Sequence, residues 1–142
     1  MKALMLALLL CGICNATAAN RGKLVLYCEG EVVSSLVGSN ESQKQSEKYH
    51  ITVDFDKNTI ELPTELRLAC SAREVSRCSC SIQDSEFSCL SSGHGEDHIW
   101  SAIVEINRYS AKMRVRTTHG FKTVIQNTDG WLSCEQYNKA KF

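Results

Sequence analysis

Cysteine content constrains this chain of 142 residues more than any other feature. Two of the eight cysteines, Cys11 and Cys14, lie in an N-terminal segment that we expect to be removed. The six that remain are Cys28, Cys70, Cys78, Cys80, Cys89 and Cys134. An even set of six in a short exported chain predicts three disulfides, because an oxidising compartment favours the bridge over the thiol.

The first eighteen residues have the pattern of a cleaved secretory signal. Lys2 supplies a positive charge, residues 3–13 form an apolar run, and Ala16-Thr17-Ala18 offers small residues for cleavage after Ala18. The run is too short to cross about 30 Å of hydrocarbon, which takes about 20 residues. We therefore expect no membrane span, and a mature domain of residues 19–142 in the bacterial periplasm or outside the cell.

A zinc site is the alternative use of the cysteines. Cys78-Ser79-Cys80 would supply it, but this C-x-C spacing is tighter than the usual C-x₂₋₄-C, and no second C-x-x-C follows. Disulfides therefore explain the cysteines better than a metal does, and we expect no cofactor.

Charge balance excludes one broad class of partner. The chain has 16 basic and 16 acidic residues, and loss of Lys2 leaves the mature chain with 15 against 16, a net charge of −1. Proteins that bind nucleic acid by bulk electrostatics need a strong basic excess. Hydrophobic residues make up 43% of the chain, which is enough for one packed core. We expect a single domain and no nucleic-acid partner.

Period-two alternation predicts strands rather than helices. The segments 49–55, 99–107 and 111–117 alternate between apolar and polar residues, as half-buried strands do. Further strands are expected at 24–37 with a bulge or bend at 29–31, and at 60–62, 74–83, 86–90, 121–126 and 131–135. About eight short strands predict an all-β fold, which would be a single antiparallel β-barrel or sandwich that is cross-linked by disulfides.

Polar stretches between these strands are predicted as loops and turns. The longest, 38–48, has no apolar residue, and the others are 56–59, 91–98 and 127–130. A short helix is expected within 64–72, with Thr64 as its cap.

A hairpin around Asp84-Ser85 predicts one disulfide. If these residues form a two-residue loop, Gln83 pairs with Glu86, and Cys80 lies directly opposite Cys89 at a non-hydrogen-bonded position. The Cα atoms of such a pair approach to about 4.5 Å, a separation that a disulfide accepts.

With that pair taken, Cys28 and Cys134 are expected to join the first and last strands, which would help to close a barrel. Cys70 is then left with Cys78. However, Cys78 competes for Cys89, because both cysteines of the C-x-C share one strand face. The connectivity therefore remains one of roughly 15 combinations.

The segment His94-Gly95-Glu96-Asp97-His98 is the densest group of potential metal ligands. Two histidines four residues apart share a face on a helix, whereas this segment has the composition of a loop, and the zinc-protease signature also needs a glutamate beside its first histidine. No G-x-S-x-G elbow is present. We expect no catalytic residue and no metal ligand, and keep a metal-dependent or hydrolytic enzyme using His94 and His98 as the alternative.

A basic stripe is the remaining candidate surface. Lys112, Arg114 and Arg116 lie on the outward face of one predicted strand, near Arg108 and Lys122. Such a stripe either meets an anionic partner or forms an ordinary solvent-facing surface, and we expect the second.

Four segments give the chain a resemblance to a group of exported proteins. They are Leu26-Tyr27-Cys28-Glu29-Gly30, Val53-Asp54-Phe55-Asp56, Ile106-Asn107-Arg108-Tyr109-Ser110 and a closing Gly130…Cys134…Phe142. In the order and spacing of these four segments, the mature chain is similar to small exported β-rich proteins of proteobacteria, most of which carry no assigned activity. The resemblance implies a β-rich exported fold without a particular function.

A looser resemblance concerns the periplasmic inhibitors of C-type lysozyme, which are small disulfide-bonded antiparallel barrels. Tyr27-Cys28, Ser91-Ser92-Gly93, Trp100 and Cys134 resemble that family. The Ser-Gly segment lacks the basic residue and the tyrosine that follow it there, and no Trp-x-Lys-Gly stretch exists, so no inhibitory residue carries over.

These patterns predict an exported, non-catalytic binding module. Its partner would be a protein, a glycan or a small ligand, held by loops or by a barrel mouth. An envelope structural protein without a ligand site is the plainer alternative.

Overall fold

A computed structural model describes residues 22–66 and 76–137, which form one antiparallel sheet of eight strands. The strands are β1 (Lys23–Leu36), β2 (Ser42–Asp54), β3 (Thr59–Glu61), β4 (Ser76–Ile82), β5 (Glu86–His94), β6 (His98–Asn107), β7 (Lys112–Phe121) and β8 (Val124–Gln136). Residues 64–66 are helical, with Thr64 already inside the helix and not its cap, and the rest of the segment predicted as a helix lies outside the described residues, as does the predicted signal segment. Within the described ranges, no helix is long and apolar enough to cross a membrane.

The sheet is a meander that curls into a nearly closed barrel. Its strand order is β3-β2-β1-β8-β7-β6-β5-β4, so each strand lies beside its neighbours in sequence except β3 and β4, which form the seam. The pairing of β1 with β8 brings the first and last strands together. The all-β prediction is therefore confirmed, and of its two architectures the barrel is the one that forms.

Two predicted disulfides are confirmed, and both join directly opposed residues of neighbouring strands. Cys28 on β1 is bonded to Cys134 on β8, with 4.0 Å between their Cα atoms. Cys80 on β4 is bonded to Cys89 on β5, with 4.1 Å between their Cα atoms.

The hairpin behind the second bridge also forms as predicted. The N–H of Gln83 donates to the carbonyl of Glu86 at 2.9 Å, around a two-residue loop. This register excludes the competing Cys78–Cys89 pairing. Cys78 is itself disulfide-bonded, and the predicted partner, Cys70, lies outside the described residues.

The hydrophobic core occupies one end of the barrel, which we call the packed end. Its inner-face side chains form rows across neighbouring strands, and each is at most 5% exposed: Phe87, Ile106, Met113 and Leu132 in one row, and Cys89, Val104, Val115 and Val32 in the next, where Gly130 lies between Val115 and Val32. Strands β1 and β2 complete it with Leu26, Cys28, Tyr49, Ile51 and Val53. Burial of each large aliphatic or aromatic side chain stabilises the fold by roughly 1.5–3 kcal/mol.

Two inner-face glycines let β1 and β8 lie close together. A Cβ on Gly130 would lie 2.5 Å from Cγ1 of Val32, and a Cβ on Gly30 would lie 2.5 Å from the carbonyl oxygen of Trp131. The turn predicted at 127–130 is therefore wrong, because Gly130 serves this close approach within β8. The bulge predicted around Gly30 is also wrong, since β1 keeps one continuous register with both neighbours.

Two predicted loops are largely strand. Residues 42–48 belong to β2, and residues 91–94 belong to β5. The first of these is almost entirely exposed on both faces, so it becomes a strand through backbone pairing with β1 and not through burial. A strand without a buried face has no alternating pattern by which it could be recognised.

Candidate functional site at the barrel mouth

Inner-face side chains change character along the barrel axis. Beyond the packed end lies a row of small residues, which we call the polar belt: Ser91, Ala102, Thr117, Thr128 and Ser34 are cross-strand partners on β5, β6, β7, β8 and β1. The hydroxyl oxygens of Ser34 and Thr128 are hydrogen-bonded at 2.8 Å. Because these side chains are short, they fill less of the interior than the core side chains do.

Two further rows follow the polar belt, and we call them the mouth. The first contains Trp100, His119, Gln126 and Leu36, and the second contains His98, Phe121 and Val124. With Ile99 and Gly120, these residues line a cavity of about 440 Å³. That volume lies within the range of roughly 300–1,000 Å³ that small-molecule sites occupy.

Four rings stand in a two-by-two array on the inner faces of β6 and β7. His98 lies opposite Phe121, and Trp100 lies opposite His119. The rings of His98 and Trp100 are stacked, with 5.0 Å between centroids and 20° between planes. Aromatic rings favour offset-stacked and edge-to-face neighbours, so the array is a surface on which a further ring can pack.

Backbone hydrogen bonds join the loops around the mouth. The N–H of Lys122, in the β7–β8 turn, donates to the carbonyl of Asp97 in the β5–β6 turn at 2.7 Å. After β1, the N–H of Val37 donates to the carbonyl of Ile125 at 2.8 Å. Lys122 has a φ of 53°, which a tight two-residue turn requires. These hydrogen bonds connect the segments that form the rim.

The mouth exposes the kind of side chain that the packed end buries. Leu36, Ile99, Phe121 and Val124 in the cavity lining are 47%, 46%, 59% and 57% exposed, and the adjoining Val37 is 61% exposed. Contiguous exposed apolar groups of this kind mark interaction sites on soluble proteins.

Two buried polar groups at the border between belt and mouth make no hydrogen bond to any described residue. They are Oγ of Ser91, a residue that is 2% exposed, and Nε1 of Trp100, a residue that is 9% exposed. Ser91 lies opposite Ala102, two positions along β6 from Trp100, so both groups belong to one patch of the inner face. A buried polar group without a partner costs about 1–3 kcal/mol, and such groups are uncommon in folded proteins.

The two histidines of the alternative metal site do not come together. His94 is the last residue of β5, and its side chain lies on the outer face of the sheet. His98 is the first residue of β6, and its side chain lies on the inner face, because His94 pairs with Ile99 and not with His98. In the described part of the chain, no group of three or more His, Cys, Asp and Glu side chains could hold a metal ion.

The basic stripe lies on the outer wall, where acidic side chains of neighbouring strands face it. Arg114 donates from Nε and Nη2 to the carboxylate of Asp129 at 3.2 and 2.9 Å, and Nη2 of Arg116 lies 3.3 Å from Glu105. The hydrogen bonds from Arg114 hold the pKa of Asp129 below its ordinary value. Arg114 and Arg116 are thus paired with carboxylates, and Lys112 donates to the hydroxyl of Ser133 at 2.7 Å, which fits an ordinary solvent face better than an anion-binding surface.

The sequence analysis named a barrel mouth as one possible binding site, but it did not identify the residues that line it. The signal for these residues is the series of alternate, inward-facing positions on two strands. On β6, the inward-facing series Ile106, Val104, Ala102 and Trp100 continues to His98. In the same way, the series from Met113 to Thr117 continues to His119 and Phe121. An open barrel end is marked where the inward-facing positions of a strand change, towards the end of that strand, from buried aliphatic side chains to exposed aromatic ones.

Comparison of the chain with protein-family models finds no match, and no curated protein and no solved structure matches it either.

Proposed function

We propose that the mature protein is an exported, non-catalytic binding module that holds a small ligand in the mouth of its barrel. The cavity of about 440 Å³ carries this proposal. Small-molecule sites are concave and mostly apolar, with a few polar groups that orient the ligand. The mouth has this composition. Leu36, Phe121 and Val124 are apolar residues of the lining, and its polar side chains are Gln126 and two histidines.

The rigid rim supports the same role. Binding costs conformational freedom wherever a loop must become ordered, and a preformed site avoids much of that cost. The hydrogen bonds from Lys122 to Asp97 and from Val37 to Ile125 already connect three segments around the mouth. A ligand therefore meets a site whose backbone needs little rearrangement.

A catalytic role finds no equivalent support. Acyl transfer needs a nucleophile beside a base, with an acid that orients the base. None of the described residues that line the cavity is Ser, Cys, Asp or Glu. His94 and His98, the residues of the alternative enzyme hypothesis, face opposite sides of the sheet.

Export is part of the proposal. The segment ending at Ala18 has the pattern of a cleaved signal, and cross-strand disulfides are stable in an oxidising compartment such as the periplasm. An intact mass that begins at Ala19 would support export, and a product that keeps Lys2 would contradict it.

Native mass spectrometry of the protein recovered from an envelope extract tests the binding role. We expect the wild type to carry a small-molecule mass that is released on denaturation, and the double variant Phe121→Ser/Val124→Ser to lose it. The matched control, Leu90→Ser/Tyr109→Ser, changes exposed apolar side chains that do not line the cavity and should keep the mass. A wild type without any bound mass, or equal occupancy in all three proteins, would contradict the proposal.

A further inference from the structure

We infer that the mouth takes an uncharged, flat-ring compound that carries a hydrogen-bond acceptor. This inference rests on the proposed function, and it names the class of ligand that the same cavity would hold. It depends on three properties of the lining: its rings, its charge and its unpartnered polar groups.

The ring array sets the shape of the ligand. Four aromatic side chains occupy adjacent inner-face positions on β6 and β7, and two of them, His98 and Trp100, are within 20° of parallel. A rigid ring can pack on such a surface over its whole area and loses little conformational freedom on binding. A flexible acyl chain would have to order several bonds to make the same contact.

The charge of the lining sets the charge of the ligand. None of the described residues that line the cavity is Lys, Arg, Asp or Glu. Lys122 is at the outer rim, where its Nζ lies 5.4 Å from the centroid of the Phe121 ring. An ion that entered the cavity would lose water without gaining a fixed counter-charge inside, which is unfavourable.

The unpartnered polar groups set the need for an acceptor. The indole Nε1–H of Trp100 can only donate, and it has no partner among the described residues. A carbonyl oxygen or a ring nitrogen of the ligand would accept this hydrogen bond, whereas a pure hydrocarbon ring would leave it unmade. Nε1 exposes less than 1 Å², so the ligand would reach it by shifting a side chain of the mouth.

A pair of isosteric probes separates these contributions. Quinoline and naphthalene have the same size and shape, and only quinoline carries a ring nitrogen that accepts a hydrogen bond. Naphthoate adds a negative charge, decanol replaces the ring by a flexible chain, and methyl glucoside presents a polar ring. Trp131→Phe leaves Trp100 as the single tryptophan, so that its fluorescence reports on the mouth.

We expect quinoline to change the Trp100 emission and to bind about fivefold more tightly than naphthalene, as one hydrogen bond would give. Naphthoate, decanol and methyl glucoside should bind more weakly than quinoline. Phe121→Ala, at a side chain that is 59% exposed, should weaken quinoline binding about tenfold. Leu90→Ala, which is 45% exposed on the outer face, is the matched control and should leave it unchanged.

The outcomes distinguish the inferred class of ligand from the proposed binding function of the mouth. Tighter binding of decanol, naphthoate or methyl glucoside than of quinoline, lost in Phe121→Ala, would overturn the ring inference and keep the mouth as a binding site. Equal binding of quinoline and naphthalene would overturn the requirement for an acceptor. Quinoline binding that survives Phe121→Ala, or no response of Trp100 to any probe, would overturn the inference. The binding function itself is rejected by the separate test in the envelope extract, if the wild type carries no bound mass or if all three proteins show equal occupancy.

Discussion

The two ends of the barrel are built by the same strands and the same inward parity, but their side chains differ in kind. At the packed end, β6 and β7 contribute Ile106 and Met113, which are 2% and 0% exposed. At the mouth the same two strands contribute His98 and Phe121, which are both exposed. The polar belt separates these regions. The comparison indicates that stability is concentrated at one end, which leaves the other free to expose aromatic and apolar groups for binding.

The largest expected effect comes from removal of the disulfide that joins the first and last strands. Cys28–Cys134 closes a loop with a sequence separation of 106, for which chain entropy predicts a loss of about 4.7 kcal/mol in the free energy of unfolding. Cys80–Cys89 has a separation of only 9, for which the same relation predicts about 2.6 kcal/mol. Denaturant unfolding of Cys28→Ala/Cys134→Ala and of Cys80→Ala/Cys89→Ala measures the two losses. The reverse order would show that the length of the closed loop does not set the loss.

Truncation of one side chain at each end tests the comparison directly. Met113→Ala should reduce the free energy of unfolding by about 2–5 kcal/mol, because the deleted atoms leave a cavity in a packed core. Phe121→Ala removes a larger side chain that is already 59% exposed, so the loss should stay below about 0.5 kcal/mol. Urea unfolding of both variants measures the difference. A similar loss for both would mean that the mouth belongs to the core, and it would contradict the claim that stability is concentrated at the packed end.

Tyr49 at the packed end should make stability fall at alkaline pH. Burial raises its pKa from 10.0 to about 12, so the folded state favours the neutral phenol. The contribution is fully present below pH 10 and is lost as the pH rises through 12; it amounts to at most about 2.7 kcal/mol. Unfolding free energies across this range should decline more steeply in the wild type than in Tyr49→Phe. Parallel curves would show that burial of this hydroxyl has no such effect.

The smallest effect is expected on the outer wall, which belongs to neither end. The hydrogen bonds from Arg114 lower the pKa of Asp129 below 3.8, so their contribution is present above pH 3.8 and is lost as the pH falls through the lowered value. Both side chains are substantially exposed, and water and salt screen the pair. Asp129→Asn should therefore flatten only the acid limb of the stability curve, and only at low ionic strength. A large loss at neutral pH would mean that the wall also stabilises the fold.

Local pattern was sufficient to predict the parts of the fold that have one buried face. The alternation of residues 49–55 and 99–107 gave their inward sides, and counting from Asp84-Ser85 placed Cys80 opposite Cys89. The hydrogen bond of Gln83 to Glu86 shows why this worked, because the register of a two-residue hairpin is set within a few residues.

The features that were missed depend on contacts between residues far apart in sequence. Residues 42–48 become a strand because β1 pairs with them, and Gly130 lies in a strand because Val32 approaches it closely. The residues that line the mouth were missed for the same reason. His98 and His119 had no common pattern, and only the pairing of β6 with β7 places them on one inner face beside Trp100.

Backbone amide chemical-shift mapping with quinoline tests most directly the claim that one end stabilises the barrel and the other binds. We predict shifts that saturate with quinoline and are confined to residues 34–37, 91–100 and 117–128, while the amides around Met113 and Leu132 at the packed end stay unchanged. The same titration of Phe121→Ala should show much smaller shifts. Changes centred on the packed end or on the outer wall around Trp131, with the mouth unaffected, would contradict the account.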